Sequence, residues 1–505
     1  MSAAQAIIAQ LHQRGIRPAG LAVDSRRVKP GDVFLAYPGA RVDGRQYIAQ
    51  ALANGAVAVL AEHGEKVGAG GTAVPVIAVE NLARLAGEIA HLVYGKPSEQ
   101  LWLAGITGTN GKTSVSQWIA QAMNRLECKC AVIGTLGNGF PPHLDPSPNT
   151  TPDAVGFHAA LADYVRHGAV ACAMEVSSIG IDQGRANGAQ FDVAVFTNLT
   201  RDHLEYHGTM AAYGEAKAKL FAMPGLKTAV LNLDDDFGRE LAARLHGSIR
   251  TIGYSLEGRT GTDHVLQATD LRAGPRGVEF TLDGVAIAAP VVGRFNASNL
   301  LAVIGALLAG DETLDDIAVV LRHIEPPPGR MQALGGEAQP LVIVDYAHTP
   351  DALEKALTAL RDTATARGGK LVCVFGCGGD RDPGKRPQMG AMAERHADTV
   401  WVTSDNPRSE TPQAIIDMIL AGLSTSPKVE VDRAQALAAV IATADVRDVI
   451  LVAGKGHEPY QEIAGVRIPY SDLEAAKSAL MKLLRNKAVE QKTLSSPLRM
   501  GGRRP

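Results

Sequence analysis

The chain has 505 residues, of which 46% are hydrophobic and 20% are charged, and its formal net charge is −3. This composition excludes a wholly disordered chain, and the near-neutral charge gives no overall electrostatic footprint for nucleic acid or for an anionic membrane surface. At the usual domain size, the length corresponds to about three domains.

The N-terminus and the cysteine content indicate a cytoplasmic protein. The first twenty residues lack the charged and apolar regions of a secretory signal, and no run reaches the roughly 18 apolar residues of a membrane-spanning helix. The five cysteines include no Cys-X-X-Cys pair, so neither a disulfide framework nor a thiolate zinc site is expected. We therefore expect reduced thiols and no membrane insertion.

Three α/β regions follow one another along the chain, and each predicts a domain. Short apolar runs predict a small N-terminal domain over 1–97. Over 98–330 strands alternate with helical stretches, which is typical of a parallel sheet with crossover helices, and the Pro-rich run at 325–329 ends this domain. The alternation returns over 331–485, which predicts a Rossmann-like C-terminal sheet. The basic remainder, 486–505, lacks periodicity and is expected to be disordered.

The predicted strands are short apolar runs, and one amphipathic helix with apolar positions from Val115 to Leu126 follows the fourth of them. In chain order the runs are 31–37, 56–61, 74–79, 101–106, 169–174, 192–197, 227–232, 341–344, 371–375, 399–403 and 449–452.

A glycine-rich segment between the strand 101–106 and the amphipathic helix carries the strongest chemical signal. It ends in Gly111-Lys112-Thr113. In such a turn backbone N–H groups point at phosphate oxygens, Lys112 reaches the outer phosphates and Thr113 can bind Mg²⁺. The strict pattern has glycine where this chain has Ile106, so the loop is a variant, and a turn without ligand is the alternative. We predict a central P-loop-type ATPase sheet.

Further oxygen and nitrogen ligands follow the next strands of this region. Glu175 comes directly after the strand 169–174, and His203 lies in the polar segment 198–204. Because Mg²⁺ takes few protein ligands and keeps waters and phosphates, a carboxylate and an imidazole would complete a sparse site. Taken alone, His203 is more simply interpreted as a hydrogen-bonded loop histidine.

Each strand of the C-terminal region runs into a polar or glycine-rich cluster. The clusters begin at Asp345, Gly376, Ser404 and Gly454. Ligands of open α/β sheets bind beyond the carboxyl ends of the strands, so these clusters predict a ligand site at one edge of the sheet.

Five segments together resemble the Mur ligases of peptidoglycan synthesis. GTNGKT, NTTP at 149–152, EVSS at 175–178, TNLTRDHLEYHG at 197–208 and DYAHTP at 345–350 appear in the order of that family, and the resemblance covers about 20–475. It implies an ATP-dependent ligase that activates a carboxylate as an acyl phosphate before an amine attacks it. Its expected partners are small-molecule substrates, with no nucleic acid among them. No protein nucleophile is required for this chemistry, only positioning, Mg²⁺ and electrostatic stabilisation.

The resemblance also implies roles for single residues. Lys112, His203 and Lys217 would be catalytic, with Lys217 carbamylated and Lys219 as the nearby alternative. Thr113, Glu175, His203 and the Lys217 carbamate would hold Mg²⁺. The residues expected to bind ATP are Gly108, Thr109, Asn110, Gly111, Lys112, Thr113, Ser114, Asn296, Asn299, Arg330 and Asp345.

Two further groups of residues match the substrate segments of the family. The segment 405–408, Asp-Asn-Pro-Arg, resembles the signature of the branch that adds meso-diaminopimelate to UDP-N-acetylmuramoyl-L-alanyl-D-glutamate. An arginine fork binds a carboxylate with two hydrogen bonds. The residues expected at diaminopimelate are Arg381, Asp405, Asn406, Pro407, Arg408, Gly454 and Glu458, and those at the UDP-muramoyl-dipeptide are Val23, Ser25, Asn149, Thr150, Thr151, Ser177, Gln183 and Arg185, with residues 40–42 a weak match.

Three alternatives stay open at this point. The first is a ligase of the same branch that adds L-lysine, which lacks the distal carboxylate. The second is a folate-polyglutamate-type ligase, against which the N-terminal domain and the segment 405–408 argue. The third is a non-catalytic scaffold with the basic tail as a docking arm, against which the intact phosphate and metal motifs argue. We expect a cytoplasmic monomer that uses ATP and Mg²⁺.

Overall fold

The computed structural model describes residues 1–39, 42–64, 74–274 and 277–494, with side chains to residue 486. Residues 40 and 41, in the weakly matching segment, and 495–505, in the predicted tail, lie outside the described residues. Within the described ranges, no helix is long and apolar enough to cross a membrane. All five cysteines are free thiols.

A four-stranded sheet of parallel strands forms the first region, with its strands in sequence order. Its apolar residues pack against the first and third helices, which bury Leu11, Ala86 and Ile89. The elements are α1 (Ala3–Gln13), β1 (Gly20–Ala22), β2 (Asp32–Ala36), α2 (Ile48–Ala53), β3 (Ala58–Glu62), β4 (Val76–Val79) and α3 (Leu82–Val93).

The second region contains a nine-stranded sheet, a separate three-stranded sheet and the helices that cover them. Its elements are β5 (Trp102–Thr107), α4 (Lys112–Arg125), β6 (Cys130–Gly134), β7 (Gly137–Phe140), β8 (His143–Asp145), α5 (Ala154–Arg166), β9 (Ala171–Glu175), α6 (Ser178–Asp182), β10 (Val193–Phe196), α7 (Leu204–His207), α8 (Met210–Ala218), β11 (Thr228–Asn232), α9 (Asp236–Leu245), β12 (Arg250–Ser255), β13 (His264–Gln267), β14 (Thr269–Gly274), β15 (Gly277–Leu282), β16 (Val285–Ala289), α10 (Arg294–Ala309) and α11 (Leu314–Leu321).

The nine-stranded sheet has the order β13-β12-β11-β10-β5-β9-β6-β7-β8, parallel from β13 to β6. Alternate residues of its central strands face two separate cores. Ile106 and Val195 pack with α4 and α10 on one face, while Leu103 and Phe196 pack on the other. Burial on both faces explains why these strands are continuous apolar runs.

The antiparallel sheet β14–β15–β16 was not predicted from the sequence. In β15 the buried residues Val278, Phe280 and Leu282 alternate with the less buried Glu279 and Thr281. This period of two is the signature of a strand with one buried face. The predicted strands are unbroken apolar runs, so a strand that alternates in this way was missed.

The third region contains a six-stranded sheet and a two-stranded hairpin. Its elements are β17 (Gln332–Gly335), β18 (Leu341–Asp345), α12 (Pro350–Arg367), β19 (Leu371–Phe375), α13 (Lys385–His396), β20 (Thr399–Val402), α14 (Pro412–Leu420), β21 (Lys428–Val429), α15 (Arg433–Thr443), β22 (Val449–Ala453), β23 (Tyr460–Ile463), β24 (Val466–Pro469) and α16 (Asp472–Leu494).

The six-stranded sheet has the order β17-β18-β22-β19-β20-β21, and only the edge strand β17 is antiparallel to its neighbour. The carboxyl ends of β18, β22, β19 and β20 therefore meet at one edge, as the polar clusters predicted. All the predicted strands are confirmed to within about two residues. Each sheet lies wholly on one side of residues 97 and 330, and the domain limits themselves stay predictions.

The C-terminal helix α16 continues past the predicted start of the disordered tail. It ends at Leu494, so residues 486–494 of the predicted tail lie in this helix. The segment from 486 to 494 contains no Pro or Gly, and most of its residues are compatible with a helix, so nothing in it stops the preceding one.

A fully buried ion pair joins the first residues of α15 and α16. Arg433 donates from Nε and Nη2 to the two carboxylate oxygens of Asp472, at 2.7 and 2.8 Å, and both side chains are 0% exposed. Arg433 also donates to the carbonyl of Ser404, two residues after β20, and to the carbonyl of Ala453, the last residue of β22. The pair thus ties two helices to the edge of the sheet where the polar clusters lie.

Removing the charge of Asp472 should destabilise this region strongly. In Asp472→Asn the guanidinium of Arg433 stays buried without a counter-ion, which costs about 3–5 kcal/mol. Hydrogen exchange of the β22 amides measures the loss. Glu474→Gln is the control, because Glu474 pairs with Lys477 at the surface and such pairs contribute at most about 1 kcal/mol. Equal effects of the two variants would contradict this account.

Candidate active site

The loop between β5 and α4 adopts a conformation that requires glycine at two positions. Gly108 has φ 148° and Gly111 has φ 88°, and a Cβ at these residues would lie 1.9 Å from Thr197 Oγ1 and 2.5 Å from Asn299 Oδ1. Lys112 begins α4, and its Nζ donates to the carbonyls of Gly108 and Thr109 at 2.8 and 2.9 Å. The loop carbonyls therefore bind the ammonium group of Lys112, the residue expected at the outer phosphates.

Lys217 reaches the same loop from α8. Its side chain is 1% exposed, its Nζ donates to the carbonyl of Gly108 at 2.9 Å, and the ring of Tyr213 lies 4.2 Å away. Burial and the nearby charge of Lys112 hold the pKa of Lys217 well below its ordinary value. Lys219, the alternative carbamylation site, is half-exposed and salt-bridged to Asp182.

Glu175 and Thr113 form an oxygen pair at the start of α4. The hydroxyl of Thr113 donates to Glu175 Oε2 at 3.0 Å and accepts from Arg330 Nη2 at 3.0 Å. The other carboxylate oxygen of Glu175 accepts from the backbone N–H of Thr135 at 2.8 Å. Among the described residues no cluster of three His, Cys, Asp or Glu could hold a metal. The Thr113–Glu175 pair fits a Mg²⁺ that takes its other ligands from phosphates and water.

His203 lies apart from that oxygen pair, in a left-handed backbone conformation with φ 53°. Its ring nitrogens lie 3.5 Å from carboxylate oxygens of Asp202 and Glu205. The buried Asp202 also has His348 Nε2 and Lys385 Nζ at 3.6 Å, both from the third region. Burial alone would raise the pKa of Asp202, but the hydrogen bond from His348 and the surrounding positive charges hold it well below its ordinary value.

A cavity of about 650 Å³ opens beside the loop. Asn299 Nδ2 donates to Asn296 Oδ1 at 3.0 Å in its wall, and burial raises the pKa of Asp345 above its ordinary value. Four residues predicted to bind ATP do not line the cavity. They are Gly108 and Thr109 in the adjoining loop and Lys112 and Thr113 at the start of α4. The residues predicted to bind ATP that line it are Asn110, Gly111, Ser114, Asn296, Asn299, Arg330 and Asp345.

A second, smaller cavity of about 60 Å³ lies at the carboxyl edge of the six-stranded sheet. Asp202, His203 and Lys385 contribute to its lining, and Tyr346 lines both cavities. Pro407 does not line it. The residues predicted to bind diaminopimelate that do are Arg381, Asp405, Asn406, Arg408, Gly454 and Glu458.

The two arginines of this second cavity bond to the backbone. Arg408 Nη1 donates to the carbonyl of Gly379 at 2.7 Å, and Arg381 Nη1 donates to the carbonyl of Asp380 at 3.1 Å. Within the described ranges neither guanidinium forms a salt bridge, so both charges are available to an anionic ligand.

Four of the eight residues predicted at the muramoyl-dipeptide form one hydrogen-bonded group beside Glu175. Thr151 Oγ1 donates to the carbonyl of Glu175 at 2.9 Å and lies 3.1 Å from Ser177 Oγ. Arg185 donates to the carbonyl of Thr151 and to Gln183 Oε1, at 2.8 and 2.7 Å.

The remaining residues of that prediction are more dispersed. Thr150 Oγ1 lies 3.0 Å from Thr135 Oγ1, while Asn149 is exposed on the neighbouring turn. Val23 and Ser25 lie in the first region, where Ser25 Oγ donates to Gln50 Oε1 at 2.8 Å.

Several residues of this site were not predicted from the sequence. They include Asp202, Tyr346 and Lys385, and the ion pair between Arg201 and Asp382, at 2.9 Å. Asp202 adjoins the predicted His203 and Tyr346 adjoins the predicted Asp345, so the clusters that contain them were the available signal. Lys385 lies four residues after Arg381, and no local pattern sets it apart from a helical surface lysine.

Alanine at Gly111 should damage nucleotide binding without unfolding the protein. Its Cβ would press on Asn299 in the wall of the large cavity, and strain of this kind costs about 1–3 kcal/mol, which corresponds to a Kd for ADP about 10- to 100-fold higher. Titration calorimetry measures this Kd for ADP. Gly95→Ala is the control, because Gly95 has φ 75° with nothing within 4 Å of its Cβ position. An unchanged Kd in Gly111→Ala would contradict the assignment of the cavity.

Comparisons with known proteins agree with this geometry. The model of the Mur ligase family catalytic domain matches residues 18–94, the Mur ligase middle domain matches 106–307, and the Mur ligase glutamate ligase domain matches 329–456. These three matches fall in the three regions in chain order.

Curated relatives match nearly the whole chain. It is 53% identical over 475 residues to the UDP-N-acetylmuramoyl-L-alanyl-D-glutamate--2,6-diaminopimelate ligase of Ectopseudomonas mendocina, covering 93% of this chain and 96% of that protein. It is 54% identical over 470 residues to the protein of the same name from Pseudomonas aeruginosa, covering 91% of this chain and 94% of that protein.

Solved structures of similar proteins share the fold. A structure of UDP-N-acetylmuramoyl-L-alanyl-D-glutamate--2,6-diaminopimelate ligase is 38% identical with a TM-score of 0.65, covering 92% of this chain and 95% of that one. MurF ligase from Thermotoga maritima in complex with ADP is 20% identical with a TM-score of 0.66, covering 94% and 99%, which shows the fold alone. From the family models and the relatives of more than 50% identity it follows that the chain belongs to the Mur ligase family.

Proposed function

We propose that this chain is an ATP-dependent amide ligase that adds meso-diaminopimelate to UDP-N-acetylmuramoyl-L-alanyl-D-glutamate, releasing ADP and phosphate in the cytoplasm. The observation that carries the proposal is the juxtaposition of the two cavities. Asn110, Gly111 and Ser114 of the predicted phosphate-binding segment line the large cavity, and Tyr346 lines both cavities. The small one is lined by Arg381 and Arg408, which form no salt bridge with any residue that the structure describes. A phosphorylated carboxylate at their junction would be within reach of an amine.

The loop and its neighbours fit the first half of this reaction. A carboxylate is a poor electrophile, so it must take the outer phosphoryl group of ATP and become an acyl phosphate. Lys112 and Arg330 place positive charge where the transferred phosphoryl group develops negative charge. Thr113 and Glu175 would hold Mg²⁺, which neutralises phosphate charge and orients the reacting oxygens.

Lys217 fits the role of a carbamate that supports metal binding. A lowered pKa increases the uncharged fraction of a lysine, and only the uncharged amine adds CO₂. Lys219 is half-exposed and salt-bridged to Asp182, so it is the poorer candidate. Conversion of Lys217 to an anion replaces a repulsion from Lys112 with an attraction.

The second cavity fits the incoming amino acid. Diaminopimelate carries a carboxylate and an ammonium group at its distal end. Arg381 and Arg408 would hold carboxylates, and Glu458 would hold the distal ammonium together with the backbone at Gly454. The relatives named as 2,6-diaminopimelate ligases support this choice of amine. Lysine lacks a distal carboxylate, so its binding would leave the charge of the half-buried Arg408 without that partner.

The hydrogen-bonded group around Thr151 fits the dipeptide end of the other substrate. Ser177 and Arg185 belong to this group, which reaches Glu175 through the carbonyl that Thr151 binds. A carboxylate held there would lie close to the proposed Mg²⁺ ligands. Val23 and Ser25 would contact the uridine end in the first region.

Phosphate release with UDP-N-acetylmuramoyl-L-alanyl-D-glutamate, ATP and Mg²⁺ tests the proposal. We expect release with meso-diaminopimelate, far slower release with L-lysine and only background release without an amine. A preference for L-lysine would support an ATP-dependent amide ligase but contradict the assignment of meso-diaminopimelate as its amine substrate. No release with any amine, from folded protein supplied with bicarbonate, would favour the non-catalytic scaffold.

Arg408→Met tests the assignment of the distal carboxylate. Losing a charge-assisted bidentate contact should lower kcat/KM for diaminopimelate about 100-fold, and the residual activity with L-lysine should not change. Arg447→Met is the control, because that arginine pairs with Asp445 at the surface. An equal loss with both amines would contradict the role of Arg408.

A further inference from the structure

Lys455 is buried beneath the second cavity and belongs to no part of the proposed chemistry so far. Its side chain is 0% exposed. Its Nζ donates to Asn406 Oδ1 at 3.0 Å and to Glu458 Oε2 at 2.9 Å. Asn406 and Glu458 line the cavity, whereas Lys455 does not. Its ammonium group therefore hydrogen-bonds to two lining residues without itself lining the cavity.

The contacts around Lys455 fix the orientation of both partners. Asn406 Nδ2 donates to Glu458 Oε2 at 2.7 Å, and Asn406 Oδ1 also accepts from the backbone N–H of Glu462 at 2.9 Å. Glu458 Oε2 thus accepts two hydrogen bonds, one of them from an ammonium group. The carboxylate is held by one oxygen, which leaves Oε1 for another partner.

A buried ammonium group is costly, and burial of an ion pair is weak evidence of a contribution to stability. An apolar side chain would fill the same space without that cost. The charge is explained if it fixes a carboxylate that must receive a second cation, because a pre-oriented acceptor loses less entropy when the ligand binds.

We propose that Lys455 is a positioning residue that holds the carboxylate of Glu458 for the distal ammonium group of the amino-acid substrate. This rests on the proposed function of the second cavity. Lys455 does not touch the substrate, so its effect passes through Glu458 and Asn406. The effect is confined to ligands that carry a distal ammonium group, whereas a packing role would act on every ligand of the cavity.

Lys455→Met removes the charge and keeps the length of the side chain. We expect KM for meso-diaminopimelate to rise about 10- to 100-fold, the size of losing hydrogen bonds to a charged group, with KM for ATP and for the dipeptide substrate unchanged. The inhibition constant of 2-aminopimelate, which has the same carboxylates and reactive amine but no distal amino group, should stay as in the unmodified protein.

A double-mutant cycle with Glu458→Gln gives a second readout. If Lys455 acts through Glu458, the double variant should bind diaminopimelate no worse than Glu458→Gln alone, because groups that act through one another are not additive. Lys477→Met is the matched control, since Lys477 makes the same i,i+3 contact with Glu474 but at the surface. If Lys455→Met does not fold, Lys455→Gln replaces it, with the same pattern expected.

The outcomes separate this inference from the proposed function. Equal weakening of diaminopimelate and 2-aminopimelate, an unchanged KM for diaminopimelate, or additive effects in the cycle would overturn the positioning role. A wild-type protein that does not use diaminopimelate at all would overturn the proposed function instead, and with it the basis of this inference.

Discussion

Two lysine ammonium groups share one carbonyl oxygen in this protein, and much of the site depends on that crowding. Lys112 and Lys217 both donate to the carbonyl of Gly108, at 2.8 and 2.9 Å. Two like charges this close in a poorly solvated place repel each other strongly. Burial and this repulsion hold the pKa of Lys217 well below its ordinary value, which favours the carbamate proposed for that residue.

Contacts between the second and third regions bring the two cavities together. Asn110 in the phosphate loop donates to Asp351 of α12 at 3.0 Å, and Arg201 pairs with Asp382 beside the second cavity. The carboxylate of Asp202 contacts the side chains of His348 and Lys385 across the same boundary. These contacts place the second cavity against the loop between β5 and α4, where the proposed acyl phosphate would be protected from water.

The sequence predicted the local features of this arrangement well. Buried parallel strands are unbroken apolar runs, and the phosphate loop has its glycines where the backbone needs positive φ. What escaped prediction depends on contacts between distant residues. Arg201 and Asp382 lie far apart in the chain, and nothing near either indicates the partner. Lys455 likewise looks like any lysine in a glycine-rich turn until the fold buries it beneath Asn406 and Glu458.

The central claim is that burial and the neighbouring charge of Lys112 lower the pKa of Lys217, so that its amine takes up CO₂ as a carbamate. The most direct measurement is ¹³C NMR of the whole protein in ¹³C-bicarbonate, comparing the unmodified chain with Lys217→Met and Lys219→Met. The account predicts one lysine carbamate signal that disappears in Lys217→Met and persists in Lys219→Met. A signal that persists in Lys217→Met, or none in the unmodified protein, would contradict it.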